Sequence, residues 1–467
     1  QASRTLDVKG FPGVAFCGEY PMAWVDFEDK TFGVSARLEA FSPFCPLKEE
    51  DSALPVVVMR YTLTNRTDKP LRATVLGVLE NAVGCLDRDV HEGFRGNAVV
   101  RDAGWVMVQG AARQGPSRGS NRPPVVIEDF EGKDYGKWTV EGEAFGKAPA
   151  KGTIKQQQKV SGFGGRGLVN TYFNGSDQTQ GKLTSPPFTV QRDFICFLIG
   201  GGHFAGKTCI NLLVDGKAVR TMAGQDNEKL EWRHWDVKEF RDKEARIEIV
   251  DAESGPWGHI NIDQIEQRDL PPSKMNMPFD QRPDVGTMGI ALLDAPAALA
   301  HPAWPPVGTS TEPPGSSEVP LKAKLTGALA GTVELKAGES KPLTFAIVWH
   351  FPNRPKNGNR YTAPFKNAAD VVRHLAANFE RLCGQTRLWH RTWYEEATLP
   401  RWLLDRLFST VSTLATGTCQ WWANGRFWAW EGVGCCHGTC AHVWNYEHAM
   451  ARLFPALERS CRTMQDL

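Results

Sequence analysis

The residues best equipped for chemistry are concentrated in NGRFWAWEGVGCCHGTCAHVWNYE, Asn424 to Glu447, where three Trp, three Cys, two His and two Glu share 24 positions. Several chemistries compete for them. Cys435 or Cys436 with Cys440 and His442 would supply the thiolate and imidazole ligands of a zinc site. Structural zinc sites, however, join two separated ligand pairs, and no second CxxC or HxxxH pair stands elsewhere. Cys436 beside His437 would be a nucleophile next to a base, but neighbours in sequence are poor evidence of neighbours in a site. A carboxylate site uses more of the residues. A sugar ring has apolar faces and a rim of hydroxyls, so its site needs aromatic platforms together with directional polar groups. Trp421, Trp422, Trp428, Trp430 and Trp444 are available as platforms, Arg426, His442 and Asn445 as polar contacts, and Glu431 as the charge facing the anomeric carbon. Against this stands a plain reading in which the tryptophans are core and Glu431 is an exposed loop carboxylate; composition alone leaves both open.

The elements that must position this stretch follow from periodicity. Ala368, Val371, Val372, Leu375, Phe379 and Leu382 fall on one helical face, with a continuation through Trp389 and Trp393. A second helix is delimited by Thr398 as N-cap, Pro400 in the first turn and Gly417 at its end, with Leu404, Leu407, Phe408, Val411 and Leu414 as its stripe. A third is expected from about Thr439 to Leu453, stopped by Pro455. The chemistry-rich stretch therefore lies between two helices and runs into the start of the second.

The chain before these helices is β in character. Val34, Ala36 and Leu38 alternate with polar neighbours, as do Val57, Met59, Tyr61 and Leu63, and Pro and Gly punctuate the runs as in an antiparallel sandwich. A block with its own turn chemistry runs from Ile127 to about Gln267, including LLVDGKAVR, where Asp215-Gly216 is a hairpin signal. The first pattern resumes at MGIALLDAP and at TVELKAGESKPLTFAIVWHF. The expected organisation is a sandwich in two parts (1–126 and 269–360), an inserted β-sandwich (127–268), and a helical region (361–467).

Length and charge exclude several functions. A chain of 467 residues splits into two or three domains. Lys+Arg 54 against Asp+Glu 53 provides no basic field for nucleic acid. No apolar run is long enough for a transmembrane helix. Eleven cysteines, an odd number, leave at least one thiol unpaired within the chain, and their spacings are not those of a small disulfide scaffold.

The stretch from Asn424 to Glu458 resembles the nucleophile region of glycoside hydrolase family 116, the bacterial β-glucosidase and non-lysosomal glucosylceramidase group. GEYPMAWVDFED and LEAFSPFCPLKEEDSALPVVVMRYTLTN resemble that family's N-terminal β-sandwich. The likeness covers roughly 14–127, 289–352 and the chain after Tyr361. It implies an (α/α)6 toroid packed on the sandwich and a retaining β-glycosidase with no metal or organic cofactor. Carried onto this sequence, it makes Glu431 the nucleophile; Arg426, Trp428, Trp430, Thr439, His442 and Asn445 are the candidates for the contacts around the sugar. Glu447 is a competitor by composition only. The family's sugar-binding Asp shortly after the position of Thr439 is replaced here by Ala441 and His442, so strict glucose specificity is not implied. The implied substrate is a carbohydrate or glycolipid.

The inserted block has its own likeness. DFEGKDYGKWTVEGEAFGKAPA, FLIGGGHFAGKTCINLLVDGKAVR and IVDAESGPWGHINIDQI resemble a β-sandwich module attached to secreted fructan- and sucrose-cleaving enzymes. That implies a lectin-like accessory domain in a secreted or periplasmic protein, with His203, Trp257 and His259 as candidate glycan contacts; a purely structural spacer is the competing reading.

Retaining chemistry needs a second carboxyl about 5 to 5.5 Å from the nucleophile. The resemblance implies an Asp well beyond Glu431, whereas only 36 residues follow it here, carrying Glu447, Glu458 and Asp466. Nor can the roughly 100 residues after Tyr361 build twelve helices of ordinary length. The expectation is that the remainder of the catalytic domain lies elsewhere in the polypeptide or in another chain. The alternative function is a non-catalytic glycan-binding protein built from enzyme-derived domains.

Overall fold

The computed structural model describes residues 2–86, 93–115, 122–272, 278–295, 298–305, 315–353, 357–429 and 450–466. The chain divides into two compact units, Gln1–Pro116 with Met277–Leu467, and Ser117–Asn276.

The first unit is built on a nine-stranded antiparallel sheet. Its spatial order is Gly13–Glu19, Met22–Glu28, Val34–Phe41, Val56–Asn65, Ser340–His350, Thr287–Leu293, Trp105–Gln114, Gly93–Asp102 and Ser316–Pro320. Strands from both sides of the second unit are therefore hydrogen-bonded neighbours, with Ile290 opposite Val108 and Ile347. One face of this sheet carries a three-stranded sheet, Leu299–His301, Thr326–Leu335 and Leu71–Glu80. Leu63, Val108, Ile290, Leu292, Leu329 and Phe345 share the core of that face with Val75 and Leu335. The opposite face is covered by the helix Ala368–His390, whose Val371, Val372, Leu375 and Leu382 meet Val56, Val58, Met107 and Ala346. A strand covered on both faces has no solvent side, which is why Val56-Val57-Val58-Met59 reads as a continuous apolar run.

The helix starts where Asn367 accepts a bond from the Asp370 N–H at 3.0 Å. Its four inward residues are each at most 1% exposed, a burial that contributes about 1.5–3 kcal/mol per side chain. It widens into a π turn at Arg391–Glu395 and is followed by a shorter helix, Arg401–Phe408, that tightens to 3-10 geometry over Ser409–Ala415. Sequence periodicity anticipated one α-helix as far as Gly417; the run Ser409-Thr410-Val411-Ser412-Thr413 is poor in helix formers, and the α geometry stops before it. The helix that ends at Leu453 stops before Pro455, as expected. Pro455 sits at the first position of a further helix, Pro455–Asp466, where its missing N–H costs nothing.

In the second unit one sheet contains Val169–Asn170, Ile260–Arg268, Phe194–Gly201 and Asn227–Asp236, with Val125–Glu128 on the Ile260–Arg268 strand. The other contains Lys217–Ala223, Thr208–Val214, Glu244–Asp251, Gly181–Thr184 and Thr139–Gly142. Ile195, Phe197, Ile210, Leu212, Trp235, Ile247, Ile249 and Ile262, drawn from both sheets, form one core. Asp215 and Gly216 take left-handed φ values of 51° and 73°, closing the hairpin in which Val214 pairs with Lys217.

Candidate active site

The chain enters its chemistry-rich stretch through a hairpin that the helix-based reading missed. Cys419–Trp421 pairs with Phe427–Ala429, and the turn between them is built around Asn424-Gly425. Gly425 has a φ of 90°, the Asn424 side chain accepts from the Arg426 N–H at 3.0 Å, and the Trp422 N–H donates to the Arg426 carbonyl at 2.8 Å. An Asn-Gly pair flanked by apolar residues is a strong short-range hairpin signal, so the sequence did carry it.

Strand alternation then sorts the aromatics. Trp421 and Phe427 pack with Phe44, Val411, Phe454 and Leu457. Trp422 and Trp428 stack on each other, centroids 5.0 Å apart and planes at 16°. The Arg426 guanidinium lies 4.7 Å from the Trp428 ring and 5.8 Å from that of Trp422. Because these three separations are nearly equal, Arg426 sits beside the pair and not at the end of a three-layer stack. Arg360 lies 5.5 Å from the Trp421 ring. Of the expected sugar contacts, Arg426 and Trp428 are thus brought together as one cationic, aromatic surface, each ring still partly accessible. Trp430, Glu431, Thr439, His442 and Asn445 lie outside the described residues, as do Cys435, Cys436 and Cys440. Among the described residues no group of three or more His, Cys, Asp or Glu side chains could hold a metal ion, and no helix is long and apolar enough to cross a membrane.

The same unit holds a charged cleft of about 470 Å³ between residues 17–39 and 387–401. Its carboxylates are committed to ion pairs: Glu19 meets His390 at 2.7 Å and Arg401 at 3.2 Å, and Glu39 meets Arg387. His390 is fixed further by stacking on Tyr394 and by an edge contact with Trp24. These groups are more than 340 residues apart in sequence, for example Glu39 and Arg387, and no local pattern could have joined them.

In the second unit the three expected glycan contacts differ in exposure. His203 is exposed, with its Nδ1 2.7 Å from the Gly224 carbonyl. Trp257, half-buried and in a left-handed conformation (φ 64°), stacks on His259 with centroids 5.8 Å apart. His259 is 3% exposed and held between carboxylates, Asp177 at 2.7 Å from Nδ1 and Glu228 at 3.2 Å from Nε2. Burial opposes charge on this imidazole, but Glu228 and Asp177 outweigh it and raise its pKa above the ordinary value. A ring enclosed in this way ties backbone segments together. The Gly200-Gly201-Gly202 run has a packing explanation: a Cβ at Gly202 would lie 1.8 Å from the Trp257 carbonyl oxygen, and one at Gly201 2.6 Å from that of His259.

Residues 4–141 match the N-terminal domain described as beta-glucosidase 2, glycosyl-hydrolase family 116. This part of the chain is similar to the N-terminal domain of glycosyl-hydrolase family 116. The family-116 match covers the strands from Gly13–Glu19 to Trp105–Gln114, and its last part runs on into the second unit. A putative glycosyl hydrolase, ecdE of Aspergillus rugulosus, is 42% identical over 175 residues, covering 37% of this chain and 24% of that protein. The chain therefore spans about a quarter of the length of this curated relative. The C-terminal extracellular domain of Mycobacterium tuberculosis EmbC aligns with 33% of this chain and 62% of its own at 14% identity; its TM-score of 0.22 carries no argument about fold.

Proposed function

We propose that this protein is part of a retaining β-glycosidase in which Glu431 attacks the anomeric carbon. A second carboxyl protonates the leaving oxygen and then activates water. The observation that carries the reading is the family-116 match of the N-terminal sandwich. The hairpin supports it: its second strand ends at Ala429, two positions before Glu431, and presents Trp428 and Arg426 on one face. An indole face offers a platform for sugar C–H groups, and a guanidinium donates to ring hydroxyls or to the nucleophile carboxylate. Trp430, Thr439, His442 and Asn445 complete the sugar contacts in this reading. The helices after Ala368 are the opening of an (α/α)6 toroid, and the second unit is an accessory β-sandwich that meets glycans.

The test is covalent trapping. Incubation of the intact protein with a 2-deoxy-2-fluoro-β-glycoside bearing a good leaving group, followed by peptide mapping, should place one label on Glu431. Glu431→Gln should lower kcat by about 10⁴-fold or more, the scale on which loss of a covalent nucleophile acts. Hydrolysis with the label elsewhere would remove Glu431 from the role. Sugar binding without label or hydrolysis would instead make the protein a non-catalytic glycan binder.

A further inference from the structure

The second unit contains a cleft of about 580 Å³ that none of the sequence-predicted residues lines. Its walls are two loops, 151–157 and 172–177, and both are built to be rigid. Gln156 (φ 74°) and Asn174 (φ 56°) are left-handed without being glycine. Such conformations persist only where the surroundings enforce them. Gly175, also left-handed, approaches the other wall so closely that a Cβ there would lie 2.9 Å from the Lys155 carbonyl oxygen.

The enforcing structure is a buried polar network beneath the cleft. Asn170, 4% exposed and part of the lining, exchanges two amide bonds with Gln157, at 2.7 and 3.2 Å, and donates to the Gly152 carbonyl. Gln157 in turn donates to Glu228, which also receives Asn261 and faces His259. On its other side His259 holds Asp177. The first wall is thus tied through Gln157 and Glu228, and the second through Asp177, to the same imidazole. A largely buried network of hydrogen bonds and charge contacts of this kind restricts the geometry of both walls.

The lining states the ligand chemistry. Phe173 rests against Gly146, where a Cβ would come 2.7 Å from its ring, and gives the cleft an aromatic wall. Gln156 and Asn174 place amides at the rim, and Lys151 and Lys155 are exposed beside them. No Asp or Glu lines the cleft, and Lys151 interacts with the Glu131 carboxylate only through space, beyond ion-pair distance. A neutral sugar would use the ring and the amides and leave both ammonium groups without an anion in the cleft.

We propose that this cleft binds an acidic sugar, a uronate or a sulfated residue of a polysaccharide, with Phe173 stacking on the ring and Lys151 and Lys155 pairing with its anion. This rests on the reading of the second unit as a glycan-meeting module and names the class of glycan and the place.

The experiment is calorimetric titration of the intact protein with three probes of equal length: an oligogalacturonide, a sulfated galactan oligosaccharide, and a neutral glucan oligosaccharide. Binding of either acidic probe, weakened about tenfold or more in Lys151→Glu/Lys155→Glu and about three- to tenfold in Phe173→Ala, is the expected result. The two acidic probes distinguish carboxylate from sulfate. Neither variant touches the proposed catalytic residues, so hydrolysis of a small aryl β-glycoside should be unchanged; its loss in wild type would count against the glycosidase reading alone. Failure of both acidic probes to bind, equal affinity for the neutral probe, or acidic-probe affinity that survives both variants would each overturn the proposal.

Discussion

Asp251 offers the sharpest test of how the second unit's buried polar groups are balanced. It ends the strand Glu244–Asp251, opposite Gly181 and Thr208, and is 1% exposed. Neither carboxylate oxygen has a hydrogen-bond partner of normal geometry. Burial is the largest influence and pushes its pKa up from the ordinary 3.8 to about 7, with Asp177 adding in the same direction. The Thr171 hydroxyl, the Glu253 N–H and the positive side of His259 oppose the shift without cancelling it. Because the folded pKa is raised, the folded state holds a proton that the unfolded chain releases. The associated stability is complete below about pH 4 and is lost as pH rises through about 7. Roughly three pKa units at 1.36 kcal/mol each make the loss about 4 kcal/mol. For a unit of this size that corresponds to about 8–16 °C in Tm. Asp251→Asn replaces the carboxyl by a neutral group of the same shape. In thermal unfolding from pH 3.5 to 9, the variant should match wild type near pH 4 and exceed it by most of that difference at pH 8.5. Asp263, also raised to about 7 mainly by burial, remains in both proteins and drops out of the comparison; His259 remains as well. Parallel pH curves, or a variant less stable than wild type at pH 8.5, would show that the ionised carboxylate is satisfied in the fold and that the reasoning is wrong.

Three further substitutions probe the positioning elements. Leu375→Ala, at a site 1% exposed between helix and sheet, should cost about 2–5 kcal/mol in denaturant unfolding; a cost below 1 kcal/mol would show the helix to be loosely docked. Gly425→Ala forces a side chain onto a φ of 90° and should cost about 1–3 kcal/mol. It should also weaken the exciton couplet that the stacked Trp422 and Trp428 give in circular dichroism, and an unchanged couplet would mean the turn does not set their geometry. Gly202→Ala, with its Cβ 1.8 Å from the Trp257 carbonyl oxygen, should destabilise the second unit by about 1–3 kcal/mol or more, whereas the open position Gly216 leaves space for a Cβ and isolates the backbone-strain part of such a change.

What the sequence made legible was what repeats locally. The stripe from Ala368 to Leu382 is the inward face of the long helix, and Asp215-Gly216 closes its hairpin, because in both cases the signal and the structure span a few consecutive residues. The Asn424-Gly425 hairpin is equally local, its turn signal set among Trp, Cys and His residues whose types point to side-chain chemistry instead. The second unit's cleft could not have been read in this way. Its walls are joined by Gln157, Asn170, Asp177, Glu228 and His259, contributed by separate strands and loops and brought together only by sheet topology.

The placement of His259 shows what residue type alone does not reveal. A histidine between Trp257-Gly258 and Ile260 looks like a surface contact beside an aromatic, and the left-handed Trp257 does stack on it. The strand Ile260–Arg268 begins immediately afterwards and carries the imidazole inward, where Asp177 and Glu228 close on both nitrogens. An imidazole so held is costly to bury unless both partners are present, so each carboxylate fixes the loop or strand that bears it. The chemistry of recognition then falls to residues the network does not consume. In the cleft these are Phe173, Gln156, Asn174 and the two lysines, and in the first unit they are Arg426 and Trp428, left partly accessible at the end of the hairpin that leads to Glu431.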